Sequence, residues 1–110
     1  MGFRIEDILE CIGKIESYTE GMDFRAFTDS NITIDAVLRN IEIIGEAANH
    51  IPDEVAALEK DIPWQQIRGM RNILAHEYFG ADLETVWVTV TENIPPLVEP
   101  LERLLKRKGS

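Results

Sequence analysis

WQQIRGMRNILAHEYFG, from Trp64 to Gly80, gathers Arg68, Arg71, Asn72, His76 and Tyr78 in one run. Its apolar spacing reads as a single short helix. At roughly 100° per residue, Ile67, Met70, Ile73 and Leu74 share one side, as a buried stripe requires. Taking Arg68 as origin, Arg71 and Tyr78 fall to one side of a broad polar arc, with Asn72 and His76 on the other. Arg71 and His76 are then about 140° apart on an ideal helix, so their heads meet in only two ways. Either the arginine swings across small Ala75, or a second copy of the helix faces the first. That geometry favours a composite site shared between two chains. Asn72, one turn before His76, is placed to hydrogen-bond the ring and fix its tautomer.

Working outward, the chain of 110 residues is short enough for one domain, 1–110, with one core, and association with a second copy would widen any groove. A hydrophobic share of 45% beside 28% charged residues is that of a soluble globular protein rather than a disordered one. The single Cys11 excludes an internal disulfide and sits beside apolar positions of the first helical pattern. It reads as a buried, inert thiol, in keeping with a reducing cytoplasm. No apolar run is long enough to span a bilayer, and no secretory signal pattern opens the chain. Twenty acidic residues against eleven basic ones give a formal charge of −9, which repels a polyanion overall. Any nucleic-acid contact must therefore be local, and Arg68 and Arg71, doubled in a dimer, could supply a small positive patch. The same charge suits simple solubility or a basic partner.

Ahead of this run, Ile5, Ile8, Leu9, Ile12 and Ile15 recur at helical spacing, and Gly21 suits a left-handed stop. Phe24 and Phe27 bracket a short turn expected to tuck both rings onto the core. A second helix is expected from Ser30 or Asn31 to about His50, with Ile34, Val37, Leu38, Ile41, Ile44 and Ala48 buried. Asp35, Arg39, Glu42 and Glu46 line its opposite side at steps of a helical turn. Two readings stand: a solvated ladder of ion pairs, or a stripe flanking Arg71 and His76 in which Glu42 or Glu46 holds an arginine or tunes the imidazole. Gly45 weakens a helix by about 1 kcal/mol relative to Ala, so close helix contact, such as a dimer seam, is the expected return. His50 suits a helix end.

Pro52 to Lys60 reads as a short helix, Pro63 opens the Trp64 run, Gly80 stops it and Asp82 caps the next helix. From Leu83 through Val86, Trp87, Val90, Ile94 and Leu97 the amphipathic pattern continues, with Pro95, Pro96 and Pro100 bending or breaking it. Leu101, Leu104 and Leu105 close the core. Arg103, Lys106, Arg107 and Lys108 fit a solvated helix end, or else a basic tail that touches RNA. No stretch alternates as a strand, so the fold class is all-α: an up-and-down bundle of four main helices with short additions. Two histidines, one cysteine and no carboxylate cluster at ligand spacing lead us to expect no metal, and no cofactor motif is present.

Arg71, four intervening residues, His76, then Glu77 and Tyr78 resemble the Arg-x4-His-x-Tyr signature of HepT-like proteins, the toxin members of the HEPN superfamily. The runs IEIIGEAANHIP (Ile41 to Pro52) and WQQIRGMRNILAHEYFG look like that family's two best-marked segments, and the resemblance extends from about Ile5 to Leu105. It implies a HEPN-like bundle paired as a homodimer, possibly of higher order, with the motif helices near the two-fold axis. It also implies the toxin of a type VII-like toxin–antitoxin pair, a cytoplasmic endoribonuclease that cleaves tRNA or mRNA.

In that reading no metal is needed. A histidine moves protons near neutral pH, an arginine holds a phosphate bidentately, and RNA brings its own nucleophile in the 2′-hydroxyl. His76 would act as general base or acid and Arg71 would bind the scissile phosphate. Arg68, Asn72, Tyr78, Glu42 and Glu46 would bind substrate or support the site. The resemblance further implies a partner, a minimal nucleotidyltransferase antitoxin that adds AMP to Tyr78. A non-catalytic helical dimer that binds such a partner or a nucleotide remains the alternative. So does a chain that serves only as the partner's substrate.

Overall fold

The structure, a computed structural model, describes residues 5–70 and 82–109. Among the described residues every regular element is helical: α1 (Ile5–Thr19), α2 (Phe24–Thr28), α3 (Asn31–Asn49), α4 (Asp53–Ala56), α5 (Trp64–Arg68), α6 (Leu83–Val88) and α7 (Val98–Gly109). A π turn (Thr89–Asn93) and a 3₁₀ turn (Pro95–Leu97) join α6 to α7. This is the all-α bundle that the apolar spacing requires, with α1 packed on α3 and α7, α3 on α5, and α2 on α3 and α6.

Local chemistry sets the helix ends. Gly21 follows α1 with φ at +77°, where a side chain would be strained. The Ser30 hydroxyl accepts from the Thr33 amide at 3.3 Å and so begins α3. Asp82 does the same for α6, accepting from the Thr85 amide at 3.3 Å and from the Thr85 hydroxyl at 2.6 Å. The Pro52 to Lys60 helix contracts to α4 alone, with Pro52 as its N-cap.

Ile5, Ile8, Cys11, Ile12 and Ile15 of α1 are buried, and Leu9 is half-buried. Burial pushes the Cys11 thiol pKa up, which suits an inert side chain. In α3 the buried set is broader than its sequence stripe and turned by a residue. Thr33, Asn40, Gly45 and Ala47 join Val37, Ile41, Ile44 and Ala48, while Ile34 and Leu38 are half-buried. The cause is position, since α3 is covered by α1, α2 and α5. Gly45 is thus covered within a single chain, and no dimer seam is needed to account for it. Asn40 satisfies itself by donating to the Ala36 carbonyl at 2.8 Å.

Of the two phenylalanines, only Phe27 is fully buried. Phe24 stays 38% exposed, with both rings resting on Trp87 at centroid separations of 5.1 Å for Phe27 and 6.4 Å for Phe24.

The prolines act through their missing donors. Pro95 and Pro96 leave the ladder without N–H groups at two successive positions. Ahead of them the Ile94 amide donates five residues back, to Thr89 at 2.9 Å, and beyond them Leu97 donates three back, to Ile94 at 2.9 Å. Pro100 falls in the first turn of α7, where its lack of a donor is tolerated. The tail differs from a free basic end. Arg103 donates to Glu59 through Nε at 3.2 Å and through a terminal nitrogen at 3.4 Å, and reaches Asp61 at 3.3 Å and Glu99 at 3.2 Å. Arg107 donates to the Leu58 carbonyl.

Candidate functional site

The site is framed by α5, which carries the first part of the Trp64 to Gly80 run. Trp64 anchors its start by donating from Nε1 to the Ala56 carbonyl at 3.1 Å, and Ile67 and Met70 are buried, as the stripe requires. The run is not one unbroken helix. α5 ends at Arg68, and Gly69 caps it with an amide directed at Gln65 and Ile67. Glycine is a poor helix residue, and α5 stops there.

Arg71, Asn72, His76 and Tyr78 lie outside the described residues, as does Gly80. Three other candidates are placed. Arg68 is half-buried and donates from Nε to the Ala48 carbonyl at 3.2 Å, so its charge lies at the negative end of α3. Glu42 and Glu46 stand one turn apart on α3, the helix that α5 packs against. Glu42 pairs with Arg39 at 3.4 Å on the surface, the solvated ladder of the first reading. A Glu46 carboxylate oxygen is 3.9 Å from Nδ1 of His50, and that same nitrogen is 2.9 Å from the Glu46 carbonyl. His50 therefore does sit at the helix end.

Beside α5 opens a cleft of about 390 Å³, lined by Pro63, Gln66, Ile67, Gly69, Met70, Thr89, Asn93 and Leu97. Sequence reading missed it, because Thr89, Asn93 and Leu97 of its wall come from the π turn and the 3₁₀ turn. Pro95 and Pro96 signalled a break in the helix but not what the break would face. A second hollow of about 310 Å³ shares Thr89 and Asn93 and is also lined by Glu84, Thr85 and Val88. Among the described residues no group of three His, Cys, Asp or Glu side chains is gathered to hold a metal ion. Nor is any described helix long and apolar enough to cross a membrane.

The family model for ribonuclease HepT-like proteins matches residues 8–104. The chain belongs to the HepT-like ribonuclease family. A "Probable ribonuclease HepT" of Thermococcus cleftensis is 43% identical to this HepT-like chain over 102 residues, 93% of each protein. A "Putative RNase" of Methanocaldococcus jannaschii is 37% identical over 100 residues, covering 91% of this chain and 83% of that one. Another "Putative RNase", of Caldanaerobacter subterraneus, is 36% identical over 105 residues, covering 94% and 93%. No solved structure is a significant match. Family membership supports ribonuclease activity at the level of the family, with RNA as the class of substrate.

Proposed function

We propose that this HepT-like chain is the toxin of a type VII-like toxin–antitoxin pair, a cytoplasmic endoribonuclease that cuts tRNA or mRNA without a metal ion. One observation carries this reading: the matched span, 8–104, encloses the whole Arg71-x4-His76-x-Tyr78 run. His76 takes the proton from the 2′-hydroxyl or delivers one to the leaving 5′-oxygen. Arg71 holds the scissile phosphate and stabilises the charge that develops on it, and Asn72 orients the imidazole. The 2′-oxygen bonds to phosphorus as the bond to the 5′-oxygen breaks, leaving a 2′,3′-cyclic phosphate and a 5′-hydroxyl. The two facing copies of a homodimer complete the site.

Arg68, tied to Ala48 at the end of α3, gives the patch a fixed cation. Glu42 and Glu46 lie along the same helix and set the field around the motif. Tyr78 packs on a base or the phosphate, and is the acceptor for AMP from a nucleotidyltransferase partner that silences the toxin.

Cleavage of total tRNA and a generic RNA in EDTA tests the reading, with wild type beside Arg71→Ala and His76→Ala. Cyclic-phosphate ends from wild type, with rates reduced about a hundredfold or more in either variant, are expected for loss of an acid–base or phosphate-binding group. A second reading, a non-catalytic dimer that binds a partner or nucleotide, is favoured by the net charge of −9. Wild type free of AMP and as inert as its variants would establish that reading instead.

A further inference from the structure

The cleft beside α5 differs from the rest of the surface. The whole chain carries −9, yet none of the described residues that line this cleft is charged. Its inner wall is apolar, made of Ile67, Met70 and Leu97, while Gln66 and Asn93 are exposed and bring two carboxamides to it. Its volume of about 390 Å³ is within the range of small-molecule pockets. The described lining does not offer a phosphate the cations or converging amides that it calls for. It suits a flat, neutral, hydrogen-bonding group. Unpaired nucleobases are recognised in just this manner, with an apolar surface against the ring face and amides on the donor–acceptor edge.

Two further features place the slot in relation to the chemistry. Met70, on its wall, directly precedes Arg71 in the chain. Thr89 and Asn93, on the opposite wall, are the two ends of the π turn, a distortion that recurs at functional sites. Thr89 is itself secured, its hydroxyl donating to the Thr85 carbonyl at 2.9 Å, which leaves the amides of Asn93 and Gln66 as the adaptable readers.

We propose that the cleft between α5 and the π turn is a base-binding subsite that selects the nucleotide beside the scissile phosphate, with Gln66 and Asn93 reading the base edge. This rests on the ribonuclease reading above. It explains how an acidic protein engages RNA: the phosphate meets a small cationic site while a neutral slot, which does not repel the polymer, adds affinity and choice.

The test uses DNA oligonucleotides carrying one ribonucleotide, which fixes the bond that can be cut, with the neighbouring base varied among A, C, G and U. Wild type is expected to favour one base by about tenfold or more, the discrimination given by a well-made pair of hydrogen bonds. Gln66→Leu and Asn93→Leu alter exposed positions, so the fold survives; each should compress the preference to within about twofold while cleavage of the poorest substrate persists. Equal cutting of all four by wild type, or a preference that survives both substitutions, overturns the proposal.

Side-chain amide NMR signals of Gln66 and Asn93, followed during titration with each nucleoside monophosphate, give a readout independent of cleavage. Selective shifts with one base support the subsite even if no oligonucleotide is cut, in which case only the catalytic reading falls. Absence of shifts with all four overturns the subsite.

Discussion

At Glu59 a carboxylate only 7% exposed accepts two hydrogen bonds from the fork of Arg103, whereas Asp61 and Glu99, the other partners of that guanidinium, are 76% and 86% exposed. Solvent screens the outer two contacts, so the inner pair matters most. The Arg103 hydrogen bond holds the Glu59 pKa below the usual carboxylate range. Its folded-state pKa being lower than its unfolded one, Glu59 contributes stability that is complete above the unfolded value and is lost as pH falls through the folded one. Glu59→Gln is therefore expected to lower the melting temperature at pH 7, and the gap from wild type should close as pH is taken below the ordinary carboxylate range. A gap that stays constant with pH would assign the loss to packing. Asp82, with a pKa lowered by the Thr85 hydroxyl, adds to the acid sensitivity with the same sign.

At the scale of the elements, α2 carries the fully buried ring of Phe27 on only five residues. Five residues cannot hold a helix by their own hydrogen bonds. What fixes α2 is the Asp23 cap, accepting from Ala26 at 2.8 Å, and the burial of Phe27 against Trp87 of α6. Phe27→Ala should cost about 3–5 kcal/mol, the usual range for emptying an aromatic site in a core. Ile32→Ala, at a position 85% exposed on the neighbouring α3, should stay within about 0.5 kcal/mol. Urea denaturation of the two variants measures the difference, and equal losses would contradict this packing. The π turn is likewise an element-scale consequence. Two successive prolines remove two donors, and the chain answers by changing its hydrogen-bond period, which turns Thr89 and Asn93 toward α5.

For the molecule as a whole, the balance of charge governs how RNA is met. Arg103 and Arg107 are engaged with the chain's own oxygens, which removes two of the four cations from the basic-tail reading of the C-terminal helix. Binding of single-stranded RNA should then depend only weakly on salt. The slope of log K against log salt is expected to be no steeper than about −3, the value for four neutralised phosphates at about −0.7 each, which is Arg68 and Arg71 from two copies. A markedly steeper slope in a filter-binding or fluorescence titration would point to a wider basic surface than these arginines provide.

Sequence by itself determined the helices of this protein and most of their ends. Ile5 to Ile15, the Ser30 cap, the Gly21 stop and the Asp82 cap depend on neighbours within about one helical turn, and those are fixed by residue order. It also carried the Arg71-x4-His76-x-Tyr78 run and with it the family. Tertiary structure decided which distant groups meet. Arg103 finds Glu59 across 44 positions, and Arg68 finds the Ala48 carbonyl across 20. Asn40 and Thr33 are buried because α3 is covered by three other helices, which its own periodicity does not encode. The cleft beside α5 belongs to the same class. Proline marked where the last helical pattern breaks, but only the packing of that break beside α5 made a wall of it, since a cavity is a property of surfaces brought together from separate parts of the chain.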